Sequence, residues 1–203
     1  EAIKNLAATI ENISMERVRE EFFRMLGGEH PAYGMALLLD TGLLDFVFPE
    51  MLMTIGFWQN NPYHDMDVYQ HTMCVLEHTP NVLHIRLAAL FHDIGKPYCY
   101  TEDVEGVGHF YGHDKKGVEI ALQTLKKFKS SNKIIRKVSL LVEHHMRHYK
   151  PSERDRIKRL IGDIGKDNIF DLLSLQKADA MCKNKPELID NVLEMENTVK
   201  EII

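Results

Sequence analysis

The sequence predicts an all-α fold, and three features carry that prediction. Apolar residues recur with the roughly 3.6-residue period of amphipathic helices through most of the chain, runs of alternating β-branched residues are few, and capping residues, glycines and prolines stand where helices would start and stop. Ser14 is placed to cap a helix that runs to Leu26, and Gly27-Gly28 ends it. Pro31 opens a short helix carrying Ala36, Leu37 and Leu39, which closes near Gly42. Leu43–Met53 reads as a turn and a short apolar segment. The polar stretch Gln59-Asn60-Asn61-Pro62, ended by proline, is the best boundary candidate, giving a small helical segment over 1–62 and a larger helical domain over 63–203. In that larger part, helices are expected near 66–78, 82–93, 113–129, 132–149, 152–162, 167–182 and 186–202. The loop 97–112 contains Gly106, Gly108 and Gly112 and has room for a short hairpin.

Composition narrows the classes. With 203 residues, 44% apolar and 27% charged, the chain can bury a sizeable core and is not expected to be disordered. Its longest apolar runs, such as Leu87–Phe91, fall far short of a membrane span, so no membrane partner is expected. No signal-peptide pattern is present, and the chain starts at Glu1 rather than Met, as a fragment of a longer protein or a trimmed chain would. The three cysteines, Cys74, Cys99 and Cys182, are odd in number and lack C-x-x-C spacing. That fits a reducing cytoplasm and argues against both a disulfide framework and a thiolate zinc site. The net charge of −5 hides an asymmetry: residues 129–166 carry 11 basic and 4 acidic side chains, a local +7 that would attract a phosphate-bearing substrate or RNA if it is more than a solvated helical face.

Ten of the eleven histidines lie between His64 and His148, which marks where chemistry is concentrated. His71 interrupts a core-facing stripe of Val68, Thr72 and Val75. His92 and Asp93 end an almost wholly apolar helix, Leu87-Ala88-Ala89-Leu90-Phe91. His113 starts a helix on the face of Gly117, Ile120 and Ala121. His145 continues the stripe Val138, Leu141, Val142, whereas His144 falls on the face of Lys137, Leu140 and His148. Asp179 follows Leu172 and Leu175 at helical spacing. Each of these has an ordinary explanation as a hydrogen-bonded core residue or a cap, and Asp114 in particular has the position of an N-cap. Five inward polar placements together ask for one common partner, and a mixed imidazole and carboxylate set suits Mn, Fe, Co, Ni or Zn, with Mg suited to an oxygen-rich site.

These residues resemble the HD superfamily of metal-dependent phosphohydrolases, through His71, the segment Ala88-Ala89-Leu90-Phe91-His92-Asp93-Ile94-Gly95-Lys96-Pro97, and Lys177-Ala178-Asp179-Ala180. The resemblance implies an HD-type helical bundle with one divalent ion on His71, His92, Asp93 and Asp179. It implies a second ion on Asp93, His113 and His145 where two are held. A closer resemblance covers nearly the whole chain. Ile13–Glu21, Leu43-Leu44-Asp45, Phe48-Pro49-Glu50 and His109-Phe110-Tyr111-Gly112-His113-Asp114 are similar to the part that follows the catalytic head in bacterial tRNA nucleotidyltransferases and poly(A) polymerases. The head's own Gly-Ser is missing, and the single Asp-x-Asp, Asp65-Met66-Asp67, stands in another context, so this chain alone is not expected to add nucleotides. The leading expectation is therefore a metal-dependent hydrolase of a phosphomonoester or phosphodiester on a nucleotide or RNA end. In it Asp93 and Lys96 act at the reacting centre, with Lys96, Lys115, Lys116 and Arg147 as candidate phosphate contacts. The alternative is an RNA- or tRNA-binding module in which residues 1–62 and the basic stretch hold RNA and the metal site is structural.

Overall fold

The computed structural model describes residues 2–61 and 65–203; Pro62 and His64, which figure in the sequence argument, lie outside the described residues. Helix α1 (Ala2–Leu6) and the 3-10 turn after it (Ala7–Asn12) were not expected from periodicity, because together they bury only Ala7 and present no amphipathic stripe. Helix α2 (Met15–Leu26) buries Val18, Phe22 and Leu26, spaced four apart on one face, and ends as Gly27 N–H bonds back to Phe23 O. Ser14 takes the N-cap position in extended backbone but makes no side-chain cap bond. Helix α3 (Pro31–Asp40) starts on its proline. The expected short apolar segment is helix α4 (Leu44–Val47) and a 3-10 turn over Pro49–Thr54, which together with Phe48 bury Leu44, Val47 and Met51.

The second half is built around α6 (Leu83–Phe91), in which every residue from Ile85 to Phe91 is buried. A helix buried on all sides needs neighbours all round, and α6 packs against α2, α5 (Val68–His78), α7 (His113–Lys127), α8 (Asn132–His144) and α10 (Lys166–Met181). Its end at Phe91 is earlier than the expected boundary at 93, just as α8 ends at His144 rather than 149. Helix α5 starts with a capping box, Gln70 N–H donating to Asp67 Oδ1 at 2.7 Å and Asp67 N–H to Gln70 Oε1 at 3.3 Å. Helix α9 (Arg154–Ile164) stops at Gly165, whose φ of 83° only glycine adopts freely, and α11 (Glu187–Ile202) closes over α9 and α10. The loop after α6 holds the expected hairpin, β1 (Thr101–Glu102) antiparallel to β2 (Gly108–His109). No helix among the described residues is long and apolar enough to cross a membrane.

One continuous hydrophobic core runs from Val18 to Val199. Phenylalanines join its two ends: Phe128 lies 5.5 Å from Phe22 and 6.4 Å edge-on from Phe23, and Phe48 lies 5.1 Å from Phe91, between ring centroids. The buried Arg86 guanidinium of α6 donates to Leu26 O and, at 2.7 Å, to Gly28 O, so the C-terminus of α2 is capped from the other half of the chain. Cys74 and Cys182 form a disulfide across 108 residues, which corrects the expectation drawn from cysteine number and spacing. Their pairing depends on α5 and α10 lying side by side, a tertiary fact that no local spacing encodes. In chain-entropy terms a closed loop of that length constrains the unfolded chain by about 4–5 kcal/mol.

Phe128→Ala is expected to cost about 3–5 kcal/mol, because a fully buried ring that bridges both halves would leave a cavity. Urea unfolding followed by far-UV circular dichroism should show one transition shifted to lower denaturant; a second, unshifted transition would mean that the halves do not share a core.

Candidate metal centre

The buried end of α6 delivers His92 and then Asp93 into the middle of the bundle, and the two oxygens of Asp93 face different sets of imidazoles. Oδ2 lies 3.2 Å from His92 Nε2 and 3.6 Å from His71 Nε2. Oδ1 lies 3.5 Å from His113 Nε2 and 3.8 Å from His145 Nε2. Asp179 Oδ1 completes the first group, 3.0 Å from His71 Nε2 and 4.0 Å from His92 Nε2. Five separate elements thus contribute six side chains, all 6% exposed or less. Donor atoms of His71, His92 and Asp179 lie within 4.8 Å of one another, as do those of Asp93, His113 and His145.

Backbone carbonyls fix the imidazole tautomers. His92 Nδ1 lies 2.7 Å from Ala89 O, His113 Nδ1 2.7 Å from Phe110 O, and His145 Nδ1 2.6 Å from Val142 O. A carbonyl only accepts, so each Nδ1 carries the proton and each neutral ring turns an unprotonated Nε2 inward. Two such lone pairs, on His113 and His145, face each other at 3.1 Å, and the buried His92 Nε2 makes no hydrogen bond. Lone pairs aimed at one another in a dry interior are unfavourable unless a proton or a cation lies between them, and imidazoles anchored through Nδ1 to carbonyls are the usual arrangement behind a metal. The donor set therefore fits a divalent cation.

Two glycines set the distance between the halves of the centre. A Cβ on Gly95 would lie 2.2 Å from His113 O and 2.9 Å from Gly117 N, and one on Gly117 would meet Phe91 O at 3.0 Å and Val142 Cγ1 at 3.1 Å. The glycine of Ile94-Gly95-Lys96 is thus what lets the start of α7 lie against the end of α6. Gly112, with φ 82°, is the N-cap of α7, so Asp114 is a first-turn residue rather than the cap that its position suggested.

Each carboxylate is tied to a lysine. Lys96 Nζ donates to Asp93 Oδ2 at 2.6 Å and to Gln59 Oε1 at 2.6 Å, and Lys183 Nζ donates to Asp179 Oδ2 at 2.5 Å. Burial alone would raise both carboxyl pKa values; His92 and Lys96 around Asp93, and Lys183 and His71 around Asp179, outweigh it and hold both well below the usual range. Burial also dominates His145, whose pKa is pushed down to about 3, and it lowers His71 and His113. For His92 the depressing effect of burial is outweighed by Asp93, and its pKa is raised.

A cavity of about 720 Å³ opens onto both groups; Asp93, Lys96, His113, His145, Asp179 and Lys183 line its floor, and apolar residues including Val107 and Leu188 line its sides. Of the candidate phosphate contacts only Lys96 reaches it. Lys115 is exposed on α7 away from the cavity lining, Lys116 pairs with Glu119 at 2.9 Å, and Arg147 pairs with Asp163 at 2.9 Å. His144 is buried, contrary to the outward face expected for it, but joins neither group of donors. Sequence reasoning missed Lys183, whose four-residue offset from Asp179 is a readable helical ion-pair signal, and Gln59, which gave no signal. Gln59, in the stretch expected as a boundary candidate, is 1% exposed and lies under the hairpin, with its O 2.3 Å from where a Cβ on Gly108 would stand.

Residues 63–164 match the family model of the HD domain, and residues 1–53 match the model described as "Probable RNA and SrmB-binding site of polymerase A". Curated relatives include the CC-adding tRNA nucleotidyltransferase of Thermus thermophilus, 36% identical over 82% of this chain and 39% of the relative. The A-adding tRNA nucleotidyltransferase of Deinococcus radiodurans is 32% identical over 84% and 40%, and the Multifunctional CCA protein of Pasteurella multocida 30% identical over 71% and 36%. The chain spans about two fifths of the length of these relatives.

Two outcomes are expected. Gly95→Ala should weaken Mn²⁺ binding at least 10- to 100-fold, since it pushes α7 off the centre, whereas Gly162→Ala, with open space around it, should leave binding unchanged. Equal affinities would show that the close approach of α7 is immaterial. Because a proton and a cation compete for His92 Nε2, and that proton is held more tightly than usual, Mn²⁺ affinity should rise with pH until the raised His92 pKa is passed and level off above it. Calorimetry in buffers of different ionisation enthalpy should register proton release that fades above that pKa; none at any pH would contradict the assignment.

Proposed function

This chain belongs to the HD-domain family, and we propose that it is the RNA-holding, cation-binding part of a tRNA nucleotidyltransferase-type protein. The observation that carries this reading is the tandem match, an RNA-binding-site model over 1–53 and an HD model over 63–164, on one shared core. It ranks RNA holding above hydrolysis, the reverse of the expectation from the HD signature alone, because the relatives that align along most of the chain carry tRNA nucleotidyltransferase and CCA names. Lys133, Arg136 and Arg159 are exposed within the basic stretch, as contacts to a phosphate backbone must be; Arg154, Arg156 and Lys158 are exposed as well, but pair with Glu201, Glu153 and Asp155. The protein should bind tRNA with a negative slope of log affinity against log salt, of about 0.7–0.9 per phosphate contacted. Arg136→Glu combined with Arg159→Glu should lower the affinity and flatten the slope, and chelation should leave binding in place. Absence of tRNA binding at low salt would sink this reading.

A second reading, hydrolysis of a phosphoester at the same centre, is favoured by the cavity that opens onto both donor groups. One divalent ion, or two sharing Asp93, chosen from Mn, Fe, Co, Ni, Zn and Mg, would polarise the phosphoryl group and lower the pKa of a water. The protein's own part is to hold Asp93 and Asp179 ionised, to keep the imidazoles neutral and aimed inward, and to place the Lys96 and Lys183 ammonium groups where phosphate oxygens would lie. Chelation should abolish phosphatase activity on a panel of nucleotides and metal add-back should restore it. His92→Ala and Asp93→Ala should lose both metal and turnover while staying folded; activity indifferent to chelator would remove this reading and leave the first intact.

A further inference from the structure

The disulfide lies one helical turn from the metal centre, and in register with it. His71 and Cys74 are three residues apart on α5, Asp179 and Cys182 three apart at the end of α10, and both cross-helix pairs, His71–Asp179 and Cys74–Cys182, are offset by 108 residues. Three residues of helix span about 4.5 Å, so the same two rods that present a ligand pair are bolted together immediately beyond it. Cys182 is 5% exposed and Cys74 is half-buried, so Cys74 Sγ is the sulfur an external thiol can reach. His78, exposed at the end of α5, donates its Nδ1–H to Cys74 O at 2.9 Å, with that nitrogen 3.7 Å from Cys74 Sγ and 3.8 Å from Cys182 Sγ. A proton committed to a carbonyl leaves Nδ1 no lone pair for a metal, so Cys74, His78 and Cys182 do not make a second cation site on this side.

We propose that Cys74 and Cys182 form a reversible redox modification site for low-molecular-weight thiols and disulfides of the glutathione class, and that its state sets the geometry of the His71–Asp179 ligand pair. The coupling rests on the cation-binding reading of the centre. In reduction, an external thiolate attacks Cys74 Sγ, the Cys74–Cys182 bond breaks, and Cys182 leaves as a thiolate that takes up a proton. A second external thiolate attacks the outer sulfur of the mixed disulfide, releasing Cys74, which is protonated; two external thiols have become one disulfide and the protein has gained two electrons and two protons. Oxidation is the reverse, with external disulfide as the oxidant. Two unbonded sulfurs cannot stay at bonding distance, so reduction separates the ends of α5 and α10 in a core with little slack and loosens a ligand pair that tolerates little misplacement.

The test uses the full chain with Cys99→Ser, which removes the remaining thiol. Alkylation and mass spectrometry across a series of reduced-to-oxidised glutathione ratios should show Cys74 and Cys182 protected together, as one two-electron step. Oxidised protein, and protein reduced with a phosphine and then desalted, are each titrated with Mn²⁺ by the electron paramagnetic resonance signal of the free ion. The reduced form should bind about tenfold more weakly, and the Cys74→Ser, Cys182→Ser protein should match it under either treatment. His92→Ala, which is expected to lose the cation, should keep the thiol step. Thiols that alkylate freely at every glutathione ratio overturn the redox site, and equal Mn²⁺ affinity in the two forms overturns the coupling. Failure of both forms to bind Mn²⁺, with the thiol step intact, overturns the cation reading and the coupling built on it, and supports the redox site alone.

Discussion

The arrangement of side chains at the centre of this bundle depends on keeping the Asp93 carboxylate ionised. A buried, unpaired carboxylate is strongly unfavourable; the Lys96 ammonium at 2.6 Å offsets that cost, and two imidazoles on each side turn their Nε2 atoms toward the group, as ligands to a shared cation would. Those neighbours come from α5, from the end of α6, from α7 and from the end of α8, so four elements converge on one side chain. The buried run Ile85–Phe91 of α6 is the means of delivering it, and Gly95 and Gly117 are the concessions that let α7 come near enough.

The N-terminal helices bear on the same centre through packing rather than charge. Arg86 caps α2 from within α6, Phe48 meets Phe91 immediately before His92, and Gln59 holds the lysine that holds Asp93. Disturbance of the first sixty residues would therefore reach the centre along the axis of α6 and through Lys96. An RNA seated on that part of the chain would bear on the same contacts.

Much of this was legible in the sequence, for a physical reason. Helical period, apolar runs and inward polar residues are local patterns, so α2, α5, α7 and the choice of His145 over His144 for the inward stripe follow from spacing along one helix. What escaped were properties of pairs distant in sequence. The Cys74–Cys182 bond, the burial of His144 and the hold of Gln59 on Lys96 exist because helices meet, and nothing in the neighbouring residues announces them. Residues 2–12 escaped for the opposite reason: they bury almost nothing, so they leave no pattern to read. The positive stretch over 129–166 was legible as composition, yet Arg147 within it is occupied by Asp163, which only the fold reveals.

Charge balance links the centre to the ligand it would favour. With the imidazoles neutral, Asp93 and Asp179 are matched one for one by Lys96 and Lys183, so the side chains alone leave the cavity floor close to neutral. A divalent cation held by the same carboxylates would upset that balance by two positive charges, in a site where low dielectric magnifies the imbalance. Two responses are open: the lysines swing away toward solvent, or an anion enters. Lys96 is held by Gln59 and covered by the ring of Phe110, 5.3 Å from its ammonium, and has little freedom to leave. Lys183 is half-buried and freer to turn outward, so the site would balance either by releasing Lys183 or by taking up an anion, of which a phosphoryl group is one. Where an anion enters, cation and anion would bind with mutual reinforcement, each improving the affinity of the other by the same factor.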